Sequence, residues 1–347
     1  MALPISPPIE PMLAKLVDAI PSDGGWTFEP KWDGFRAIVF FDGGDVYIQS
    51  RDLKPLARYF PELQEKLRAV LPHPLVLDGE IVIMTQHGLD FDALSQRIHP
   101  AESRVRKLAA ETPSSFVAFD VLADGGADLR AAPFRERRAL LEDALTGIEP
   151  PAYLTPMTRD RGEALDWFER FEGAGLDGII AKREVGAYQP GVRAMLKIKH
   201  LRTVDCVVGG FRWNRGGEGR SVGSLLLGLC DEDGILHHVG HTSSFKAAEK
   251  KALVDVLQPY LSDDASVGFG AGRTPGGPSR WTGARDLSWV RVRPELACEV
   301  TFDHLQGDRF RHAATFRRWR PDKPPADCTF DQVATTVPFL LDRIFTP

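Results

Sequence analysis

Cysteine is scarce in this chain, with only Cys206, Cys230, Cys298 and Cys328 among 347 residues. The four stand far apart and form no CxxC pair, which argues against a structural zinc site or a disulfide framework and for a reducing compartment. No stretch approaches the roughly 18 consecutive apolar residues of a membrane span. The start, Met1-Ala2-Leu3-Pro4-Ile5-Ser6-Pro7-Pro8, has neither the basic region nor the apolar run of a signal peptide, so a cytoplasmic protein without membrane association is expected. Internal repeats and low-complexity tails are absent. A basic excess is missing too: the formal net charge is −5. Residues 201–347 carry 19 Lys+Arg against 18 Asp+Glu, and residues 1–200 carry 24 against 30. Any surface attractive to a polyanion must therefore be local.

What is present suits a folded protein. Hydrophobic residues make up 43% and charged residues 26%, enough apolar material for real cores. The length fits two domains on the usual prior of about 100–200 residues each. After a proline-rich lead, strands are expected at 26–30 and 35–41, with an Asp42-Gly43-Gly44-Asp45 turn into a partner at 46–48. A helix follows from residue 60, then a strand at 75–83 broken by Asp78-Gly79. Residues 91–110 read as helical, 116–122 as a short apolar strand, and 134–146 and 162–173 as helices. Strands return at 177–182 and 195–199. From Thr203 the texture changes to short β-rich runs at 206–211, 224–230, 235–241 and 297–302, separated by glycine-rich turns, with one helix at 245–260. This pattern suits a small β-barrel of OB type, with an irregular loop at 268–283. The domain boundary is expected near residue 201, giving domains 1–200 and 201–347.

Chemistry-bearing residues cluster in short motifs. Glu29-Pro30-Lys31-Trp32-Asp33-Gly34-Phe35-Arg36 offers an amine nucleophile, a carboxylate, a turn and a guanidinium suited to phosphate or ribose. Further on come Ser50-Arg51-Asp52, Asp78-Gly79-Glu80, Phe119-Asp120, the run from Asp177-Gly178 to Lys182, Leu196-Lys197-Ile198-Lys199 and Arg320-Pro321-Asp322-Lys323. As a strand, the LKIK run puts both lysines on one face. Read singly, each motif has a mundane explanation: Asp-Gly pairs make turns, a KxK strand is a solvated face, and Phe-Asp at a strand end is core plus cap.

Their joint order resembles the nucleotidyltransferase motif series of ATP-dependent DNA ligases, in particular the small bacterial ligases called ligase C and the ligase domain of ligase D. The resemblance runs from Pro11-Met12-Leu13-Ala14 to Lys323. It implies an α+β fold, with an adenylation (nucleotidyltransferase) domain of antiparallel sheets and helices followed by an OB-fold. It also implies nick sealing in DNA repair through a lysyl-AMP intermediate, with ATP and Mg²⁺ or Mn²⁺. Lys31 would be the adenylated nucleophile. Glu29 would lie beside the adenine with its backbone reading the base edge, and Phe119 would stack on the purine. Arg36 and Arg51 would hold ribose and phosphate oxygens. Glu80 would contact the ribose or a metal-bound water, and Asp177 would help place the metal, where the family commonly has Glu. Lys197 and Lys199 would neutralise the α-phosphate. An amine attacks phosphorus only when deprotonated, and free lysine, with a pKa of ~10.4, is nearly all ammonium at neutral pH. Desolvation together with Lys197, Lys199 and a metal would favour the neutral form.

In the second half, residues 309–323 hold six Lys or Arg, one Asp, and the aromatics Phe310, Phe316 and Trp319. One reading is a barrel strand with aromatics inside and arginines in water. The resemblance implies instead that Arg320, Asp322 and Lys323, with Arg311, close over ATP, and that the barrel turns away between steps. The loop Arg212–Arg220 reads as a DNA contact or as a surface turn. Expected partners are nicked duplex DNA and DNA-repair proteins, for a monomer associated with the nucleoid. An RNA ligase, an mRNA-capping guanylyltransferase and a non-enzymatic OB-fold binder are the alternatives. The last has no need of Lys31, Glu80, Lys197 and Lys199 together.

Overall fold

The computed structural model describes residues 3–86, 88–200, 202–269, 273–276, 288–303, 305–333 and 344. They fall into two compact units, one holding the residues up to His200 with Ile344, the other Arg202 to Val333.

The first unit runs β1 (Leu13–Leu16), β2 (Trp26–Pro30), β3 (Phe35–Phe41), β4 (Val46–Ser50), α1 (Pro61–Val70), β5 (Leu75–Val82), a small hairpin β6 (Met84–Thr85) and β7 (Gly88–Leu89), α2 (Phe91–Gln96), α3 (Glu102–Glu111), β8 (Ser115–Asp124), β9 (Ala127–Asp128), α4 (Phe134–Ala144), β10 (Ala152–Leu154), α5 (Arg161–Arg170), β11 (Ile179–Arg183) and β12 (Arg193–Ile198). They build two sheets. The larger has the order β10-β8-β5-β3-β4 with β9 beside β8, and the smaller the order β1-β12-β11-β2. Pairings are antiparallel except β10 with β8 and β1 with β12.

Period-two alternation explains the layering. On β3, Ala37, Val39 and Phe41 join Leu63 and Leu67 of α1 and Leu141 of α4 in one core. Ile38 and Phe40 point the other way, packing with Val76 of β5, Leu122 of β8 and Met195 of β12 between the sheets. Arg36, in phase with Ile38 and Phe40, therefore faces the second sheet. The outer face of the small sheet (Phe28, Ile179, Ala181, Ile198) is covered by Ala164 of α5. Ile344 packs with Trp32, Val82 and Val117.

Three sequence expectations change. Strand β5 is not broken at Asp78-Gly79 but runs through it, with a register irregularity there against β8. The helical stretch at 91–110 is two helices, α2 and α3, interrupted around His99-Pro100, where proline removes the donor a continuing helix needs. Phe119-Asp120 lies in the middle of β8, not at its end.

The second unit comprises β13 (Arg202–Trp213), β14 (Val222–Cys230), β15 (Leu236–Thr242), α6 (Ala247–Leu257), β16 (Val290–Arg291), β17 (Ala297–Phe302), the hairpin β18 (Leu305–Gln306) and β19 (Arg309–Phe310), and β20 (Thr315–Trp319). Its main sheet has the order β15-β14-β13-β17-β20 with β16 beside β13, all antiparallel. One core, including Leu253 and Leu257 of α6, fills it. This is the OB-type domain. Of the loop at 268–283, residues 270–272 and 277–283 lie outside the described residues. All four cysteines are free and buried. Among the described residues no helix is long and apolar enough to cross a membrane.

Candidate active site

Lys31 directly follows β2 and continues its ladder. Its N–H donates to the Gly178 carbonyl at 2.8 Å, and the Asp177 N–H donates to the Lys31 carbonyl at 3.0 Å. Gly178 is required here. It has φ +126°, and a Cβ would stand 2.0 Å from the Ile198 carbonyl oxygen. This close stack of β2, β11 and β12 brings three chain segments together. Lys31 Nζ lies 2.6 Å from Asp177 Oδ2, and Lys199 Nζ lies 2.8 Å from the same oxygen. The Asp177 side chain is only 4% exposed, so the two ammoniums neutralise a carboxylate that water barely reaches. Lys197 sits opposite Ile180 in the ladder. Burial, then the charges of Lys199, Lys31 and Arg51, depress its pKa.

These residues border a cleft of about 170 Å³ between the sheets of the first unit. Of the residues singled out from sequence, Glu29, Lys31, Arg36, Arg51, Glu80, Phe119 and Lys197 line it. Asp177 adjoins it through its ion pair with Lys31, and Lys199 through its own pair with Asp177. Glu80 is half-buried opposite Arg36 across β3 and β5. Desolvation pushes its carboxyl up to about 7, against the pull of Arg36 and Lys31.

Phe119 enters the cleft by a bulge. Asp78 pairs with Asp120 and Gly79 with Ala118, leaving Phe119 as the extra residue on β8. A bulge re-aims a side chain in this way. The Arg36 guanidinium lies 4.4 Å from the Phe119 ring centroid. Arg36 is held in a two-pronged pair, Nε to Asp78 Oδ1 at 2.6 Å and Nη2 to Oδ2 at 2.7 Å. Arg51 is exposed in the turn after β4. Leu53, two residues on, has φ +63°, a strained conformation for a side chain of its size.

Lys182, Arg193, Asp78, Arg138 and Tyr188 carry no role in the sequence reading. Lys182 and Arg193 line the cleft. Lys182 Nζ donates to the Phe119 carbonyl at 2.7 Å and pairs with Glu29 Oε2 at 2.8 Å, and Arg138 Nη1 stands 3.7 Å from Glu29 Oε1. Burial raises the Glu29 pKa, and these two cations oppose the rise. Lys182 was findable, since alternation puts it on the face of Ile180, another lining residue.

The remaining singled-out residues belong to the second unit. Arg320 Nη1 contacts both Asp205 oxygens at 2.8 Å, and Nη2 contacts Asp322 Oδ2 at 2.8 Å. The Arg320 contact holds the Asp322 carboxyl down at about 2. Lys323 and Arg311 are half-buried, whereas Arg317 and Arg318 are exposed and Phe316 and Trp319 pack on the core. In the 212–220 loop, Arg215 and Arg220 are exposed.

A lysine paired with an oxygen-donor carboxylate, beside a cleft lined by cations and a flat aromatic, suits nucleotidyl transfer. The profile described as ATP dependent DNA ligase domain matches residues 11–199, and that described as ATP dependent DNA ligase C terminal region matches residues 218–323. The chain belongs to the ATP-dependent DNA ligase family. It is 53% identical over 345 residues to DNA ligase C of Mycobacterium tuberculosis (strain ATCC 25618 / H37Rv), covering 96% of each chain. It is 49% identical to DNA ligase C2 of Mycolicibacterium smegmatis, again over 96% of each. With the multifunctional non-homologous end joining DNA repair protein LigD of M. tuberculosis it shares 30% identity over 87% of this chain and 37% of that one. Among solved structures, a Lig E DNA ligase aligns with TM-score 0.56 at 17% identity over 90% of this chain and 99% of that one, a likeness of fold. Membership in this ligase family sets aside the capping-enzyme and non-enzymatic readings.

Proposed function

We propose that this ATP-dependent DNA ligase seals 5′-phosphate/3′-hydroxyl nicks in duplex DNA through AMP carried on Lys31. The observation that carries the assignment is the shared Asp177 oxygen, which holds Lys31 Nζ beside Lys199 at the mouth of a cleft lined by Glu29, Arg36, Glu80 and Phe119. In the first step the Lys31 amine attacks the α-phosphorus of ATP, a P–N bond forms, and pyrophosphate leaves with the electrons of the broken P–O bond. Lys197 and Lys199 balance the charge that moves to the leaving group. In the second step an oxygen of the DNA 5′-phosphate displaces Lys31 from the AMP phosphorus. In the third the 3′-hydroxyl attacks the activated 5′-phosphate, AMP departs, and the strand is joined.

Glu29 contributes its backbone at the base, Phe119 a ring face, and Arg36 and Arg51 donors for ribose and phosphate oxygens. A divalent cation fits this donor set. Glu80 and Asp177 are hard oxygen donors that both interact with Lys31. Among the described residues no three His, Cys, Asp or Glu gather as a metal cage. That suits Mg²⁺ or Mn²⁺, which would take its other ligands from water and substrate phosphates. When bound, the ion would neutralise phosphate charge. We assign the nucleotide chemistry to residues 1–200 and a closing role to residues 201–347, with Arg311, Arg320, Asp322 and Lys323 meeting ATP in the first step and leaving it afterwards. We further assign a monomer acting in repair with other repair proteins at the nucleoid.

The test is incubation with α-labelled ATP and Mg²⁺, denaturing electrophoresis, and a chase with nicked DNA. Label on the protein that moves to DNA, and is lost in Lys31→Ala, is the expected result. Label retained by Lys31→Ala defeats the scheme. Binding to nicked DNA should fall steeply with salt, because phosphate contacts release counterions.

A further inference from the structure

A closed ring of hydrogen bonds lies behind Arg36. The Met12 N–H donates to the Tyr188 hydroxyl at 2.9 Å, and that hydroxyl donates to Asp78 Oδ2 at 2.6 Å. The same oxygen accepts from Arg36 Nη2 at 2.7 Å, and Arg36 Nη2 reaches the Met12 carbonyl at 3.3 Å. Four distant parts of the chain meet there: the segment before β1, strand β3, strand β5 and the loop between β11 and β12. Asp78 is fully buried and Tyr188 only 4% exposed. The loop is itself pinned, with the Tyr188 N–H on the Arg130 carbonyl at 2.8 Å and Arg137 Nη1 on the Gly186 carbonyl at 3.1 Å.

Asp78 and Met12 between them occupy Nε and Nη2 of Arg36. Nη1 is the guanidinium nitrogen left without a hydrogen bond among the described residues, on a side chain that lines the cleft. A planar fork fixed along one edge, with its central carbon over the Phe119 ring, presents its remaining donor in one direction. We propose that Tyr188 is a positioning residue for nucleotide handling: its hydroxyl, anchored on the Met12 backbone, fixes Asp78 and thereby aims Arg36 into the cleft. This rests on the assignment of Arg36 to ATP. Tyr188 donates to a charged acceptor, and its loss leaves Asp78 Oδ2 short of a donor and freer to rotate. It does not touch the reacting atoms.

The experiment is self-adenylation across an ATP titration for the wild type, Tyr188→Phe, Arg36→Ala and the double variant, with a thermal melt for each. Tyr188→Phe is expected to raise the KM for ATP by roughly five- to thirty-fold, with kcat within about twofold, as expected for a lost hydrogen bond to a charged group. In the Arg36→Ala background the same substitution should change KM by less than about twofold, because the group it aims is gone. A general structural role would act equally in both backgrounds, and that outcome overturns the inference. An unchanged KM in Tyr188→Phe beside an impaired Arg36→Ala, or a loss confined to kcat, overturns it too while leaving Arg36 in place. An unchanged KM in Arg36→Ala defeats the Arg36 assignment and the inference together.

Discussion

Asp78 and Asp120 stand directly opposite one another on β5 and β8, both buried, at 0% and 1% exposure. Like charges facing across a ladder repel. Each is matched by its own guanidinium: Arg36 for Asp78, and Arg137 for Asp120 at 2.7 and 2.9 Å. The aspartates of the Asp-Gly-Glu and Phe-Asp motifs thus form a paired-charge frame under the cleft, beside Glu80 and Phe119, which line it.

Removing one arginine of that frame exposes its cost. Arg137→Met leaves a buried carboxylate uncompensated against a second one, and should destabilise the protein by about 3–5 kcal/mol. Adding Asp120→Asn should recover much of the loss, since the stranded charge goes with it. Urea unfolding of the single and double variants measures both. A loss below about 1 kcal/mol in Arg137→Met would show that the frame is not what holds these strands.

Glu80 supplies a pH dependence with a defined sign. In the folded chain its pKa is about 7, above the ordinary glutamate value of 4.5. Between those values the folded chain keeps a proton that the unfolded chain has lost, so this carboxyl's contribution to stability is full below about 4.5 and disappears as the pH rises through about 7. Glu80→Gln, uncharged throughout, should flatten the stability profile between those limits and gain relative to wild type above pH 7. Unfolding free energies at pH 5 and pH 8 decide it, and parallel profiles for the two proteins would refute the assignment.

Strand positions on β2, β3 and β17 were legible because alternation, β-branched content and flanking turns all agree there. The lysine cluster was legible too, from residue type and motif order. The frame was not. Asp78-Gly79 reads as a turn, because one chain cannot reveal that the neighbouring strand comes close enough to require glycine. An added Cβ at Gly79 would meet the Phe116 ring at 2.4 Å. Phe119 reaches the cleft through a bulge, which depends on the register between β5 and β8, 41 residues apart at Asp78 and Phe119. Tyr188 and Met12 are joined by a side chain-to-backbone bond across 176 positions, a distance no local pattern spans.

Asp177 carries a prediction that separates binding from chemistry. Asp177→Asn leaves Lys31, Lys199 and the nearby Lys197 with one fewer negative charge, and should make the cleft more attractive to a triphosphate. In EDTA, ATP affinity should rise by roughly tenfold, the scale of one removed charge a few ångströms away at intermediate dielectric. With Mg²⁺ present, adenylation should fall by about a hundredfold, as one held electrostatic group is lost. Calorimetric titration in EDTA and single-turnover labelling in Mg²⁺ report the two separately. Weaker ATP binding in EDTA would contradict the electrostatic reading.

Arg320 is engaged within its own unit by Asp205 and Asp322, with Glu299 at 3.8 Å. Under the proposed closing role, Arg320 must exchange these carboxylates for phosphate oxygens, and Asp205 would compete with the nucleotide for it. Asp205→Asn removes the competing charge while keeping the side chain's shape. Because the pair is partly solvated, the gain is modest, and adenylation at subsaturating ATP should accelerate about two- to fivefold, with little change at saturation. Single-turnover labelling across ATP concentrations reads this. A drop in melting temperature with an unchanged ATP dependence would instead make Asp205 a brace between β13 and the Arg320 turn, and would place the nucleotide's partner elsewhere.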